Sequence, residues 1–81
     1  MVKISGGDGS SIEKAIRITE CLHKEGINEE WELLKNIYGD FRFKQQTLLN
    51  MDGVQYDKME INVNEEIIIV FFDISDFFGK R

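Results

Sequence analysis

Cys21 and His23 stand two residues apart, a spacing that would put a thiol and an imidazole on one face of a strand, where they could hold a metal or act as a nucleophile pair. They are the single cysteine and the single histidine of the chain. A structural zinc site needs two further ligands, and carboxylates seldom supply both, so no metal site is expected. Asp73 and Asp76 flank Ile74 and Ser75 at the end of an apolar run, with Asp57 on a segment expected beside it. Paired carboxylates can do acid–base work or hold a cation. The stronger reading is local: Asp73 and Ser75 satisfy backbone amides where a strand gives way to a turn. Gly6, Gly7, Asp8, Gly9, Ser10 and Ser11 form a glycine-rich segment whose N–H groups could cradle an anion. It has neither the Lys-Ser/Thr ending of a P-loop nor the spacing of a dinucleotide fingerprint. A tight connection with positive φ accounts for its glycines, and Asp8 is expected to bond nearby amides. No catalytic constellation and no cofactor motif emerges.

The charge balance narrows the partners. Ten Lys and Arg stand against 15 Asp and Glu, a net charge of −5. The basic residues are scattered, which speaks against nucleic acid, since phosphate binding needs them clustered. The acids gather at Glu25, Glu29, Glu30 and Glu32. Such a group complements the dipole at a helix start, or forms an acidic surface that steers a basic protein partner. One cysteine excludes an internal disulfide framework and points to a reducing compartment. There is no run of ~18 apolar residues to cross a membrane and no apolar leader at the start. A cytoplasmic protein of one domain is expected from 81 residues.

The elements are organised around residues 67–74, Ile-Ile-Ile-Val-Phe-Phe-Asp-Ile. A half-exposed strand would alternate, so this run predicts a strand buried on both faces at the centre of a sheet. Residues 2–5 alternate and read as an edge strand. Residues 12–24 satisfy two patterns: Ser10 and Glu13 fit a capping box before a helical face, while Ala15, Ile16, Arg17, Ile18 and Thr19 suit a strand pairing back to residues 2–5. A helix is expected from Asn28 as N-cap to Gly39 as the glycine beyond its end, with Glu29, Glu30 and Glu32 in its first turn. Ile27, Trp31, Leu34 and Tyr38, widened by Ile37, form the stripe that should lie on the sheet.

After Asp40 the period changes to two. Phe41, Phe43, Thr47 and Leu49 fall on one parity, and Asp52-Gly53 predicts a type I′ hairpin. The return strand carries Val54 and Tyr56 on one parity but Met59, Ile61 and Val63 on the other, which predicts a bulge at Asp57-Lys58. Asn64-Glu65-Glu66 turns into the central strand. Beyond it, Ser75 caps a single turn reaching Gly79, the paired phenylalanines Phe77 and Phe78 fold back onto the core, and Lys80 and Arg81 form a basic end. The expected architecture is α+β: a small antiparallel sheet, with a C-terminal three-stranded meander plus one or two N-terminal strands, and one main helix packed on one face.

The opening Lys3-Ile4-Ser5-Gly6-Gly7-Asp8-Gly9-Ser10-Ser11-Ile12-Glu13-Lys14-Ala15-Ile16 and the ending Phe72-Asp73-Ile74-Ser75-Asp76-Phe77-Phe78-Gly79-Lys80 resemble a group of small bacterial proteins. That group has a GGDG start, a helix with an aromatic at its middle and an FDIS-x-FFGK end, in this order. No function is assigned to the group. The resemblance implies a strand at the place of Ala15 to Ile18 and so favours a strand there, while Thr19 to Lys24 depart from the group's pattern and leave the helix open.

The expected function is a non-enzymatic protein–protein interaction module, steered to a basic partner by Glu25, Glu29, Glu30 and Glu32. By analogy of size, charge and fold class, inhibitors and immunity-type proteins are the nearest functional models. The alternative is a small-ligand or anion binder using Gly6, Gly7, Asp8, Gly9 and Ser10. A homodimer completed by strand addition at residues 2–5 is compatible with either.

Overall fold

In the computed structural model, which describes residues 2–78, the chain forms β1 (Lys3–Gly6), β2 (Ile16–Thr19), α1 (His23–Tyr38), β3 (Arg42–Met51), β4 (Val54–Val63) and β5 (Glu66–Asp73). The five strands make one sheet in the order β1-β2-β5-β4-β3. The class is α+β, and β3, β4 and β5 are the antiparallel meander. The segment with two possible patterns is a strand, antiparallel to β1. The sheet is mixed rather than purely antiparallel, because β2 runs parallel to β5. This arrangement lets Ile16 and Ile18 join Phe72 and Val70 beneath the helix, so apolar burial decides the side on which β2 docks.

One face of the sheet is covered. Asp57, Met59 and Ile61 of β4, Val70 and Phe72 of β5, and Ile16 and Ile18 of β2 point inward and are buried together with Leu34 of α1. Ile74 and Phe77 close one end of this core, so the tail does fold back, although Phe78 stays exposed. The turn is built on the Ile74 carbonyl, which accepts from the Phe77 and Phe78 N–H groups. The predicted end of that turn at Gly79 and the basic Lys80 and Arg81 lie outside the described residues.

β5 is central, third of five, but it is not buried on both faces. Its outward residues Ile67 and Ile69 are 46% and 38% exposed, because α1 covers only the other side. The helix begins at His23, not at residue 28, and Gly26 lies within it. Glu25 makes the start possible by accepting the Leu22 N–H at 3.0 Å. Gly26 is required by packing: a Cβ there would lie 2.6 Å from the Phe77 ring. The most deeply buried line of α1 is therefore Gly26, Glu30 and Leu34. The predicted stripe runs alongside it, with Ile27, Trp31 and Tyr38 half-buried and Ile37 exposed. Trp31 stacks on Phe41 at 6.2 Å and meets Phe43 edge-on at 5.2 Å.

Both hairpin turns use positive φ. Asp52 and Gly53, at 53° and 81°, match the predicted type I′ turn, and Asn64 and Glu65 do the same between β4 and β5 at 51° and 69°. The bulge lies in β3, between Phe43 and Gln45, while β4 pairs without interruption through Asp57 and Lys58. It sends Phe43 inward beside Ile61 and Thr47 and Leu49 outward, splitting residues that share a parity. The apparent parity switch in β4 has a different cause: a carboxylate, Asp57, occupies a core position.

Candidate functional site

Asp57 has an acidic neighbour across the core. Glu30, two turns into α1, is 1% exposed and Asp57 is 2% exposed. The two carboxyls lie in hydrogen-bond contact. Burial, then the hydrogen bond to Asp57, then its negative charge push the Glu30 carboxyl up from 4.5 to about 10. Glu30 is therefore protonated at neutral pH and donates to Asp57. Glu30 Oε2 and Asp57 Oδ2 have no conventional donor, and a proton held between the two carboxyls explains why a core tolerates them. The pair could exchange a proton, but it is closed to solvent. Neither residue was singled out with the other from the sequence; the available signal was that Asp57 is in phase with Met59 and Ile61 while Glu30 is four residues from both Gly26 and Leu34.

The acidic surface expected from the sequence is rearranged by this burial. Glu30 is inside the protein and offers nothing to a partner. Glu25, Glu29 and Glu32 remain along one side of the helix, as their spacing dictates, with Glu25 engaged at the helix start.

The glycine loop is folded onto the sheet. The Gly7 N–H donates to Ala15 O, the Gly9 N–H to Lys14 O, and the Gly9 carbonyl accepts from the Phe71 N–H at 2.8 Å. A Cβ on Gly9, at φ 84°, would lie 2.8 Å from Val70, so the glycine permits close approach to β5. Asp8 Oδ1 accepts the Ser10 hydroxyl at 2.7 Å and its N–H at 3.0 Å. These bonds hold the Asp8 carboxyl below its usual range. The N–H groups of Gly7, Gly9 and Ser10 are thus engaged within the chain, and a carboxylate stands where an anion would sit.

Cys21 is buried before the helix and His23 is its first residue, so the two do not share a strand face. The His23 ring meets Phe77 edge-on at 5.9 Å. Among the described residues no three His, Cys, Asp or Glu side chains converge as a metal site would require. Asp73 serves the turn, as its local sequence implies: Oδ1 accepts the Ser75 N–H at 3.1 Å and hydroxyl at 2.6 Å. Asp76 Oδ2 accepts the Glu20 N–H at 2.8 Å, holding Glu20 at φ 60°.

The remaining feature is the uncovered face of the sheet. Along β5 it presents Ile67, Ile69 and Phe71, opposite Asn62, Glu60 and Lys58 of β4; Tyr56 of β4 pairs with Leu49 of β3 further along. Lys58 Nζ is 4.0 Å from Glu60 Oε1 and Arg17 Nε is 3.4 Å from Asp73 Oδ2 on this face, which also carries Arg42, opposite Asn62, and Lys3, opposite Thr19. No helix of the described residues is long and apolar enough to cross a membrane.

No family model matches this chain, and neither a curated protein nor a solved structure matches it. The geometry carries the functional argument.

Proposed function

We propose that this chain is a non-enzymatic protein–protein interaction module whose contact surface is the open face of the sheet. The observation that carries the reading is the exposure of Ile67 and Ile69 on the central strand. Antiparallel sheets with one solvated face normally alternate apolar-in and polar-out. β5 is apolar on both faces, and the chain itself covers one. An exposed apolar row flanked by charged side chains is the anatomy of a contact surface, with an apolar centre and a polar rim. The acidic stripe of α1 lies on the other layer, so the net acidity of the chain is not what this face offers a partner. The seclusion of Glu30 and Asp57 favours the non-enzymatic reading, because this carboxyl pair is closed to solvent. The engaged N–H groups of the glycine loop favour it over anion binding.

The test compares three baits in pull-downs from the host lysate: wild type, Ile69→Lys, and the double variant Glu29→Lys/Glu32→Lys. A protein retained by the wild type and the helix variant, and lost by Ile69→Lys, is the expected result. Retention by Ile69→Lys with loss by the helix variant would move the contact surface to the helix.

A further inference from the structure

We propose that the free edge of β1 takes up an extended segment of a partner protein as a sixth strand, with side chains of that segment entering the groove between β1 and α1. The site lies on the helix side of the sheet and is distinct from the open face. β1 pairs with β2 along one side only. Every second residue turns its N–H and C=O to the other side, and a further strand is the partner those groups fit. Beside this edge runs a groove of about 480 Å³, lined by Ile4, Ile16, Leu33 and Ile37, with Asp8 of the glycine loop at its rim. Ile4 lies opposite Ile18, which is fully buried, yet Ile4 is 41% exposed and Ile37 is 53% exposed, because α1 does not reach across β1. One occupant satisfies both features. A strand laid along β1 pairs with its backbone and sends alternate side chains to the face where Ile4 and Ile37 are exposed. A helix in the groove would cover the same side chains but leave the β1 edge unpaired.

The two edges of the sheet differ as this role requires. β3 is broken by its bulge between Phe43 and Gln45 and carries Arg42 and Lys44 there, features that blunt an edge against pairing. β1 carries Ile4 and Gly6 on the groove side and turns its one charged residue, Lys3, to the opposite face with Thr19. Charge defines the segment. Along α1, Glu29, Leu33 and Ile37 stand four residues apart, so an acid continues the flank that borders the groove. Lys24 and Lys35 follow the opposite flank with Trp31, which faces Phe41 and Phe43. The Asp8 carboxylate, held ionised by its bonds to Ser10, stands at the other end of the groove with Lys14 near it. Glu29 and Asp8 thus outweigh Lys14. The segment that fits is apolar at the side chains entering the groove and basic at its ends.

Fluorescence anisotropy tests the proposal with a labelled synthetic hexapeptide, lysine at both ends and leucine alternating with threonine between them. Circular dichroism confirms that each protein variant is folded. Wild type is expected to bind this peptide saturably, and to bind a form with glutamate at both ends at least about tenfold more weakly. Two further peptides are N-methylated, one at the leucine amides and the other at the threonine amides. A strand presents the amides of one parity to its neighbour, so one of these two is expected to lose binding and the other to keep it. Ile37→Gln, which removes apolar surface from the groove, is expected to weaken binding at least about fivefold. Ile69→Lys, on the open face, is expected to leave it unchanged, so this proposal and the reading of that face fail separately. No saturable binding at millimolar peptide overturns the proposal. Binding that survives both N-methylated forms also overturns it, since the peptide then docks without strand pairing. So does loss through Ile69→Lys rather than Ile37→Gln, which would place the peptide on the open face.

Discussion

Replacing Glu30 with glutamine keeps the shape of the buried pair and removes its titration. In the native chain the Glu30 carboxyl is raised from 4.5 to about 10, by burial first and then by Asp57. Between those values the folded state holds a proton that the unfolded state releases, so stability falls as pH rises. The contribution is fully present below about pH 4.5, is lost progressively through neutrality, and levels off near pH 10. Neutral pH lies about 2.5 units above the lower limit, and each unit corresponds to ~1.4 kcal/mol, so the native glutamate costs about 3 kcal/mol at pH 7. That is a large share of the ~5–15 kcal/mol that holds a domain together. Glutamine avoids the cost, and its amide N–H donates to Asp57 as the protonated acid does. Chemical denaturation of wild type and Glu30→Gln from pH 4.5 to 9 should show curves that nearly meet at the acid end and separate to about 3 kcal/mol at pH 7. Asp57→Asn supplies the internal check. It removes the neighbouring charge but not the burial, so its stability should still fall with pH, over a narrower range. Parallel pH profiles for wild type and Glu30→Gln, or a less stable glutamine variant at pH 7, would refute the proton-sharing account.

Three further outcomes follow from the packing. Gly26→Ala places a methyl 2.6 Å from the Phe77 ring and should cost about 1–3 kcal/mol despite the better helix propensity of alanine, read as a lower Tm; an unchanged or higher Tm would mean that Phe77 yields freely. Glu65→Gly relieves a φ of 69° in the β4–β5 turn and should raise stability by up to about 1 kcal/mol in urea denaturation, whereas the same change at exposed, helical Glu32 should lower it by a similar amount. Arg17→Ala removes an ion pair whose arginine is mostly exposed, 3.4 Å from Asp73, and should change stability by less than about 1 kcal/mol, with its effect shrinking as salt is added.

The α+β class, the central place of residues 67–74, the type I′ hairpin at Asp52-Gly53 and the Asp73–Ser75 turn were legible because each rests on chemistry within a few neighbours. The helix boundary was not. Asn28 and the run of acids look like a helix start, but the chain turns helical at His23 because Glu25 caps Leu22 and Phe77 needs the bare surface of Gly26. The apparent bulge at Asp57 was the mark of the buried acid pair. Pattern reading expects core positions to be apolar, so a carboxylate in phase with Met59 and Ile61 looks like a slipped register until Glu30 appears above it.

Local sequence thus determined the strands other than β2, where the hairpins turn, and that one strand is apolar on both sides, since backbone conformation and side-chain alternation act over a few residues. Tertiary structure alone decided which side of that strand the helix covers, that β2 docks parallel to it, and that two acids from segments 27 positions apart share one environment. Those outcomes depend on burial competing over the whole chain: one helix can cover only one face of a sheet, and a carboxyl's protonation depends on what surrounds it.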